Sequence, residues 1–142
     1  MRNNFEHEFS RIQTDMVSIC LEYVEDKANK LYIYASYEQN AIVCNFFYNI
    51  NGMLYRKHKL PNGYDVSIGR QRACMNILLE DMRELISVCE EFGADMPTEI
   101  KIMYDIDKNK LDAAYRYENV HSHTKKSAND IMDEWYNEIS SS

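Results

Sequence analysis

The chain is poor in the residues that build special sites from backbone. Its 142 residues include four glycines, at positions 52, 63, 69 and 93, and two prolines. Glycines so scattered cannot form a phosphate-cradling loop, which gathers several in one short stretch. The four cysteines, Cys20, Cys44, Cys74 and Cys89, contain no Cys-x-x-Cys and no paired Cys/His spacing. Zinc and thioredoxin-type chemistry therefore lack their sequence basis, and core thiols are expected instead. No apolar run is long enough to cross a bilayer. The opening residues, Met1 to Glu8, are already charged and lack the apolar centre of a signal peptide, so a cytoplasmic location is expected. There is no internal repeat and no low-complexity tract beyond the terminal serines.

What is present is an ordinary globular composition, 45% hydrophobic and 27% charged, in a length suited to a single domain spanning residues 1–142. Charge is unevenly spread. Residues 1–73 hold eight acids and nine Lys/Arg, whereas residues 74–142 hold fifteen acids and seven Lys/Arg. An acidic second half repels nucleic acid and attracts a basic partner.

Periodicity supplies the elements. Phe5, Phe9, Ile12, Met16, Ile19 and Tyr23 recur at helical spacing, with Cys20 and Val24 widening the stripe. Leu31 to Tyr37 and Ala41 to Ile50 read as strands separated by the turn Glu38-Gln-Asn, and Asn51-Gly52 is a hairpin turn leading into Met53 to His58. Phe46, Tyr48, Ile50, Met53 and Tyr55 share one face of this meander; Asn45, Phe47, Asn49, Leu54, Arg56 and His58 share the other, which is expected to be partly wet. Pro61 to Asp65 is a loop, Ser67 a candidate cap, and Cys74, Ile77, Leu78, Met82, Leu85, Cys89 and Phe92 the buried stripe of a long helix that Gly93 ends. After the polar connector Asn119 to Lys126, Ser127 to Asp130 resembles a capping box for a last helix with Ile131, Met132, Trp135, Tyr136 and Ile139 on its apolar side. The order is α-β-β-β-α-β-β-α, an α+β fold with an antiparallel sheet and helices mainly on one face.

The two strands before that helix, within Met96 to Glu118, give the clearest strand signal. With Lys108 and Asn109 as the turn, Ile100, Ile102, Tyr104 and Ile106 oppose Tyr117, Tyr115, Ala113 and Leu111 on one apolar face. The same register opposes Glu99 to Glu118, Lys101 to Arg116 and Asp105 to Asp112, and like charges directly opposed weaken a sheet. Either these charges serve a partner, or the true register separates them.

No nucleophile, base and oxyanion donor assemble into a catalytic set, so no enzymatic activity, cofactor or metal is expected. His121 and His123 lie two apart in a polar connector with few acids nearby. Asp105, Asp107 and Asp112 do not complete a calcium loop, because Asn109 is followed by Lys110 rather than glycine. Arg56, Lys57, Lys59, Arg70 and Arg72 make a basic cluster amid aromatics, which supports an alternative reading as a nucleic-acid-binding or regulatory module.

Met96-Pro-Thr-Glu99, the strand end Tyr104-Asp105, Tyr115-Arg-Tyr-Glu118 and the late Trp135 in an acidic helix together resemble the YezG-like family of bacterial immunity proteins, over about Leu31 to Ile139. That resemblance implies a cytoplasmic antitoxin that neutralises a secreted toxin. The toxin would be a nuclease, bound at its C-terminal domain with no direct contact to nucleic acid or membrane. The free protein would be a monomer or weak homodimer. The basic cluster of the first half departs from the family's acidic character. Because a nuclease cleft is basic, carboxylates at Asp105, Asp107, Asp112 and Glu118 are the expected contacts, with Tyr64 and Tyr136 as aromatic anchors.

Overall fold

A computed structural model describes residues 4–141. Its elements run α1 (Phe5–Tyr23), β1 (Lys30–Glu38), β2 (Ala41–Ile50), β3 (Met53–Arg56), α2 (Ile68–Phe92), β4 (Glu99–Asp105), β5 (Lys110–Arg116) and α3 (Ala128–Ser141). This is the expected α+β order, and the strands form one antiparallel sheet in the order β3-β2-β1-β4-β5.

Strand β1 lies at the centre, where both faces are covered, and Leu31 to Ser36 are all buried. Its alternation divides the molecule. Leu31, Ile33 and Ala35 join Phe46, Tyr48, Ile100 and Ile102 beneath α1 and α2, which contribute Ile12, Met16, Cys20, Leu78, Met82 and Leu85. Tyr32 and Tyr34 join Phe47 on the opposite face beneath Ala128, Met132 and Trp135 of α3. Two helices therefore cover one face and a single helix part of the other.

Local signals explain most boundaries. Asn4 caps α1 by accepting from the His7 amide. Gly93 ends α2 in the left-handed conformation at φ 65°. In α3 the capping box is reciprocal: the Asp130 amide donates to Ser127 Oγ at 3.1 Å and the Ser127 amide to Asp130 Oδ2 at 2.9 Å. Ser67 stands at the N-cap of α2 but makes no side-chain cap; its amide instead donates to Asp65 Oδ1 at 3.0 Å. All four cysteines are free and buried.

Two expectations need correction. Strand β3 stops at Arg56 rather than His58, while the face carrying Phe47 and Leu54 is partly wet as expected, with Phe47 buried under α3 and Asn45, Asn49, Leu54 and Arg56 only half-buried. The second correction concerns the β4–β5 hairpin. Its turn spans the four residues Ile106 to Asn109, so Asp105 pairs with Lys110, Met103 with Asp112 and Glu99 with Arg116. The register is shifted by two residues from the tight-turn expectation. A shift of two keeps every side chain on its face but replaces two of the three like-charge oppositions by opposite charges and leaves Lys101 facing Ala114. No mutual repulsion is stored there.

Candidate partner-binding site

The wide turn is held from outside the hairpin. Asn29, just before β1, accepts the Ile106 amide on its carbonyl at 2.9 Å and donates its side-chain amide to Asp107 Oδ2 at 3.0 Å. The same side chain accepts the Asn51 amide at 2.7 Å. One asparagine thus ties the β2–β3 turn to the β4–β5 turn. Within the hairpin, Asp105 Oδ1 accepts the Lys108 amide at 3.0 Å, the Tyr104 hydroxyl bonds Asn109, and Asn109 takes φ 52°, a conformation asparagine tolerates.

Between these turns, on the face carrying α3, opens a groove of about 790 Å³. Its apolar lining comes from Tyr32, Leu54, Met103 and Ile139, with Met53 beside them. Met53 is 63% exposed and Met103 38%. The polar lining includes Lys30, Lys108 and Lys110 together with Asp105 and Asp112. An apolar floor within a rim of both signs suits a polypeptide segment better than a small anion.

The expected contact residues do not form one site. Asp105 and Asp112 line the groove, and Asp107 sits on the adjoining turn, engaged by Asn29. Asp112 is exposed and its carboxylate makes no ion pair among the described residues. Glu118 lies past the far end of β5, roughly 20 Å along the strand, where Arg116 pairs with it at 2.8 Å. Tyr64 packs on the α1/α2 side and donates its hydroxyl to the Lys27 carbonyl at 2.6 Å. Tyr136 belongs to the α3 side, stacks edge-on to Phe47 at 4.9 Å, and donates to the Leu54 carbonyl at 3.2 Å. Both tyrosines are therefore committed to internal bonds and lie on opposite faces of the sheet.

The hairpin is not a concentrated negative surface. From Glu99 to Glu118 it carries five acids and four Lys/Arg. The acid excess of the second half is shared between α3, which has Asp130, Asp133, Glu134 and Glu138 and no Lys or Arg, and the later part of α2, which has Glu80, Asp81, Glu84, Glu90 and Glu91 against Arg83. Ile139 and Ser140 at the end of α3 line the groove, whereas Glu138 lies with Glu134, Asn137 and Ser141 on a separate part of the surface.

The basic cluster is dispersed by its internal partners. Arg56 pairs with Asp133 at 2.7 Å and lies 4.2 Å over the Tyr136 ring. Arg70 donates to the Tyr23 and Glu22 carbonyls at 2.7 and 3.2 Å. Lys57 is half-buried, donates to Asn45 Oδ1 at 2.7 Å, and has its pKa lowered by that burial. Lys59 and Arg72 remain exposed.

Two titratable groups escaped the sequence reading. Glu38, read as a turn residue, ends β1 with 5% exposure and clasps the connector after β5. It accepts the amides of Val120 at 2.8 Å, Ser122 at 3.0 Å and His121 at 3.2 Å. Burial alone would raise this carboxyl, but its hydrogen bonds with the connector outweigh it and hold the pKa at about 2. His121 is consequently ordered, its Nε2 3.6 Å from Glu38 and 3.3 Å from Ser36 Oγ. Asp81 on α2 is 7% exposed and faces α1; burial first, then a hydrogen bond with Asp15, lifts its pKa to about 8. The available signal for Glu38 was a lone acid closing an otherwise apolar strand.

Among the described residues no group of three or more His, Cys, Asp or Glu is placed to hold a metal ion, and no helix is long and apolar enough to cross a membrane. No protein-family model matches the chain, and no curated protein is significantly similar to it.

Proposed function

We propose that this chain is an immunity protein, binding and neutralising a secreted bacterial toxin of the nuclease class by seating part of it in the groove on the α3 face. The groove is the observation that carries the reading. Its two rims are tied together by Asn29, its floor exposes methionine, and Asp112 offers a carboxylate with no ion-pair partner among the described residues. A nuclease cleft is rich in Lys and Arg because it holds phosphates. Such a surface would meet Asp112 and Asp105, while Met103 and Met53 would supply apolar contact. Complementary charge would speed encounter, and the lysines of the rim would fix the register against wrong partners. The likeness of Met96 to Glu118 and Trp135 to the YezG-like immunity proteins supports the same reading.

The test is to purify the chain with the nuclease domain encoded beside its gene and titrate nuclease activity. Stoichiometric inhibition is expected. Asp112→Lys and Met103→Glu should each raise Kd by about tenfold or more, roughly 1.4 kcal/mol, with melting temperatures close to the parent's. Inhibition unaffected by both substitutions, or absent altogether, would refute the proposal.

A further inference from the structure

The two edges of the sheet are protected to different degrees. Strand β3 has four residues, and Tyr136 of α3 takes its Leu54 carbonyl. Strand β5 has seven residues, no proline or glycine, and every residue exposed except Tyr115, which is half-buried. An unpaired edge of that length is a template for another strand.

The main-chain polarity of that edge can be assigned. The Thr98 amide donates to the Arg116 carbonyl at 2.8 Å, and the Thr98 hydroxyl to the Glu118 carbonyl at 2.6 Å, so residues 116 and 118 turn inward. By the alternation of an antiparallel ladder, the amides and carbonyls of Leu111, Ala113, Tyr115 and Tyr117 turn outward. The Tyr117 amide agrees, meeting Glu118 Oε1 at 3.3 Å rather than β4.

We infer that β5 pairs antiparallel with β5 of a second copy of this chain about a two-fold axis at Ala114, joining two sheets into one. The segment Lys110-Leu-Asp-Ala-Ala-Tyr-Arg-Tyr-Glu118 is complementary to itself in that register. Lys110 opposes the other copy's Glu118 and Asp112 opposes its Arg116, and the symmetry repeats each pair. On the other side of the sheet, Leu111 opposes Tyr117 and Ala113 opposes Tyr115. Leu111 and Tyr117, 44% and 55% exposed, are thus brought together. Centring the axis on Ala113 would set Lys110 against Arg116. Centring it on Asp112 would set that acid against itself, and centring it on Tyr115 would set Asp112 against Glu118. Charge selects Ala114.

The geometry also suits this residue. Ala114 faces its copy as a non-hydrogen-bonded pair, where Cα atoms approach to about 4.5 Å and a small side chain fits best. The outward groups of Leu111, Ala113, Tyr115 and Tyr117 supply up to about eight main-chain hydrogen bonds. A contact confined to edge strands falls below the usual area of permanent interfaces, so the dimer is a weak, concentration-dependent one. The inference does not depend on the identity of any toxin.

A symmetric disulfide reads the register directly. Ala114→Cys should cross-link to dimer under mild oxidation, while Ala113→Cys, whose copy lies two residues away along the ladder, should cross-link at least tenfold more slowly. Sedimentation equilibrium of the parent chain alone should show dimer growing with concentration. Asp112→Lys should weaken it by tenfold or more, and Ala113→Pro, which removes an outward amide without touching β4, should abolish it. Circular dichroism checks that each variant is folded. A parent chain that stays monomeric at all concentrations, equal cross-linking of the two cysteine variants, faster cross-linking at Ala113, or a dimer indifferent to Asp112→Lys would overturn the inference.

Discussion

The two faces of the sheet are built from different chemistry. Beneath α1 and α2 the packing is mostly aliphatic and sulfur-containing, with Ile12, Met16, Cys20, Leu78, Met82 and Leu85 almost fully buried against β1 and β2. Its polar groups are few, and the buried Tyr48 hydroxyl is satisfied by the Cys20 carbonyl at 2.6 Å. Beneath α3 the packing is aromatic and polar. Tyr32 stacks on Phe47 at 4.8 Å, Trp135 meets Phe47 at 5.3 Å, and Tyr34 donates at 2.8 Å to Glu99, itself 2% exposed. Lys101 lies 5.4 Å over the Trp135 ring. The first face is held by area removed from water, the second by a small number of directed contacts around one helix. Damage to the first should spread through the chain, and damage to the second should detach α3.

That contrast can be broken most sharply at Trp135. Trp135→Ala should cost about 3–5 kcal/mol and be read as loss of α3 helicity and near-ultraviolet signal while amide exchange under α1 and α2 stays slow. Uniformly faster exchange would contradict the distinction. On the opposite face, Leu78→Ala should cost about 3 kcal/mol and lower the urea midpoint of the whole molecule in one cooperative step. A variant that loses only α3 would point the other way.

The next two effects depend on pH. In the folded chain Glu38 titrates near 2 against an ordinary value of 4.5, so its contribution is complete above about pH 5 and fades as pH falls toward 2. The shift corresponds to the order of 3 kcal/mol. Glu38→Gln should therefore destabilise at pH 7 and do so only about a quarter as much at pH 2.5, measured by urea titration at both. Equal losses at the two pH values would assign the effect to packing instead. Asp81 has the opposite sign: with a folded pKa of about 8 against 3.8, the folded state holds the extra proton, and stability drains away as pH rises from about 4 to 8. Asp81→Asn should raise the melting temperature by a few degrees at pH 8 and leave it nearly unchanged at pH 4. A melting temperature that falls at pH 8 would show that the ionised carboxylate is useful.

Legibility in the sequence followed the same division. The face under α1 and α2 is written as regular spacing, and the stripes from Ile12 to Tyr23 and from Cys74 to Cys89 predict both helices and their buried sides. Gly93 marks the end of α2 and the Ser127–Asp130 box the start of α3, because capping is local. The other face depends on contacts between distant segments. Nothing near Lys108 says that Asn29, far earlier in the chain, will hold Ile106 and widen the turn. The alternation survives a two-residue slip unchanged, so hydrophobic pattern alone could not detect it, although the clash of like charges in the tight-turn register was a warning. Glu38 was misplaced for a related reason: its partners are amides 82 to 84 residues away, and amides carry no side-chain signature. Of the expected site residues, Asp105 and Asp112 reach the groove. Tyr64 and Tyr136 looked available only because their hydroxyl acceptors are main-chain carbonyls on other segments.

Asn29 also sets the stiffness of the groove. By gripping two turns that belong to different hairpins, it makes the lips of the groove move as one piece, so a visitor finds the opening already at its working width and spends little conformational freedom widening or narrowing it. Shortening that side chain to alanine would leave each hairpin folded yet let the lips drift apart, and the loss should show in how long a bound partner stays rather than in how quickly it arrives.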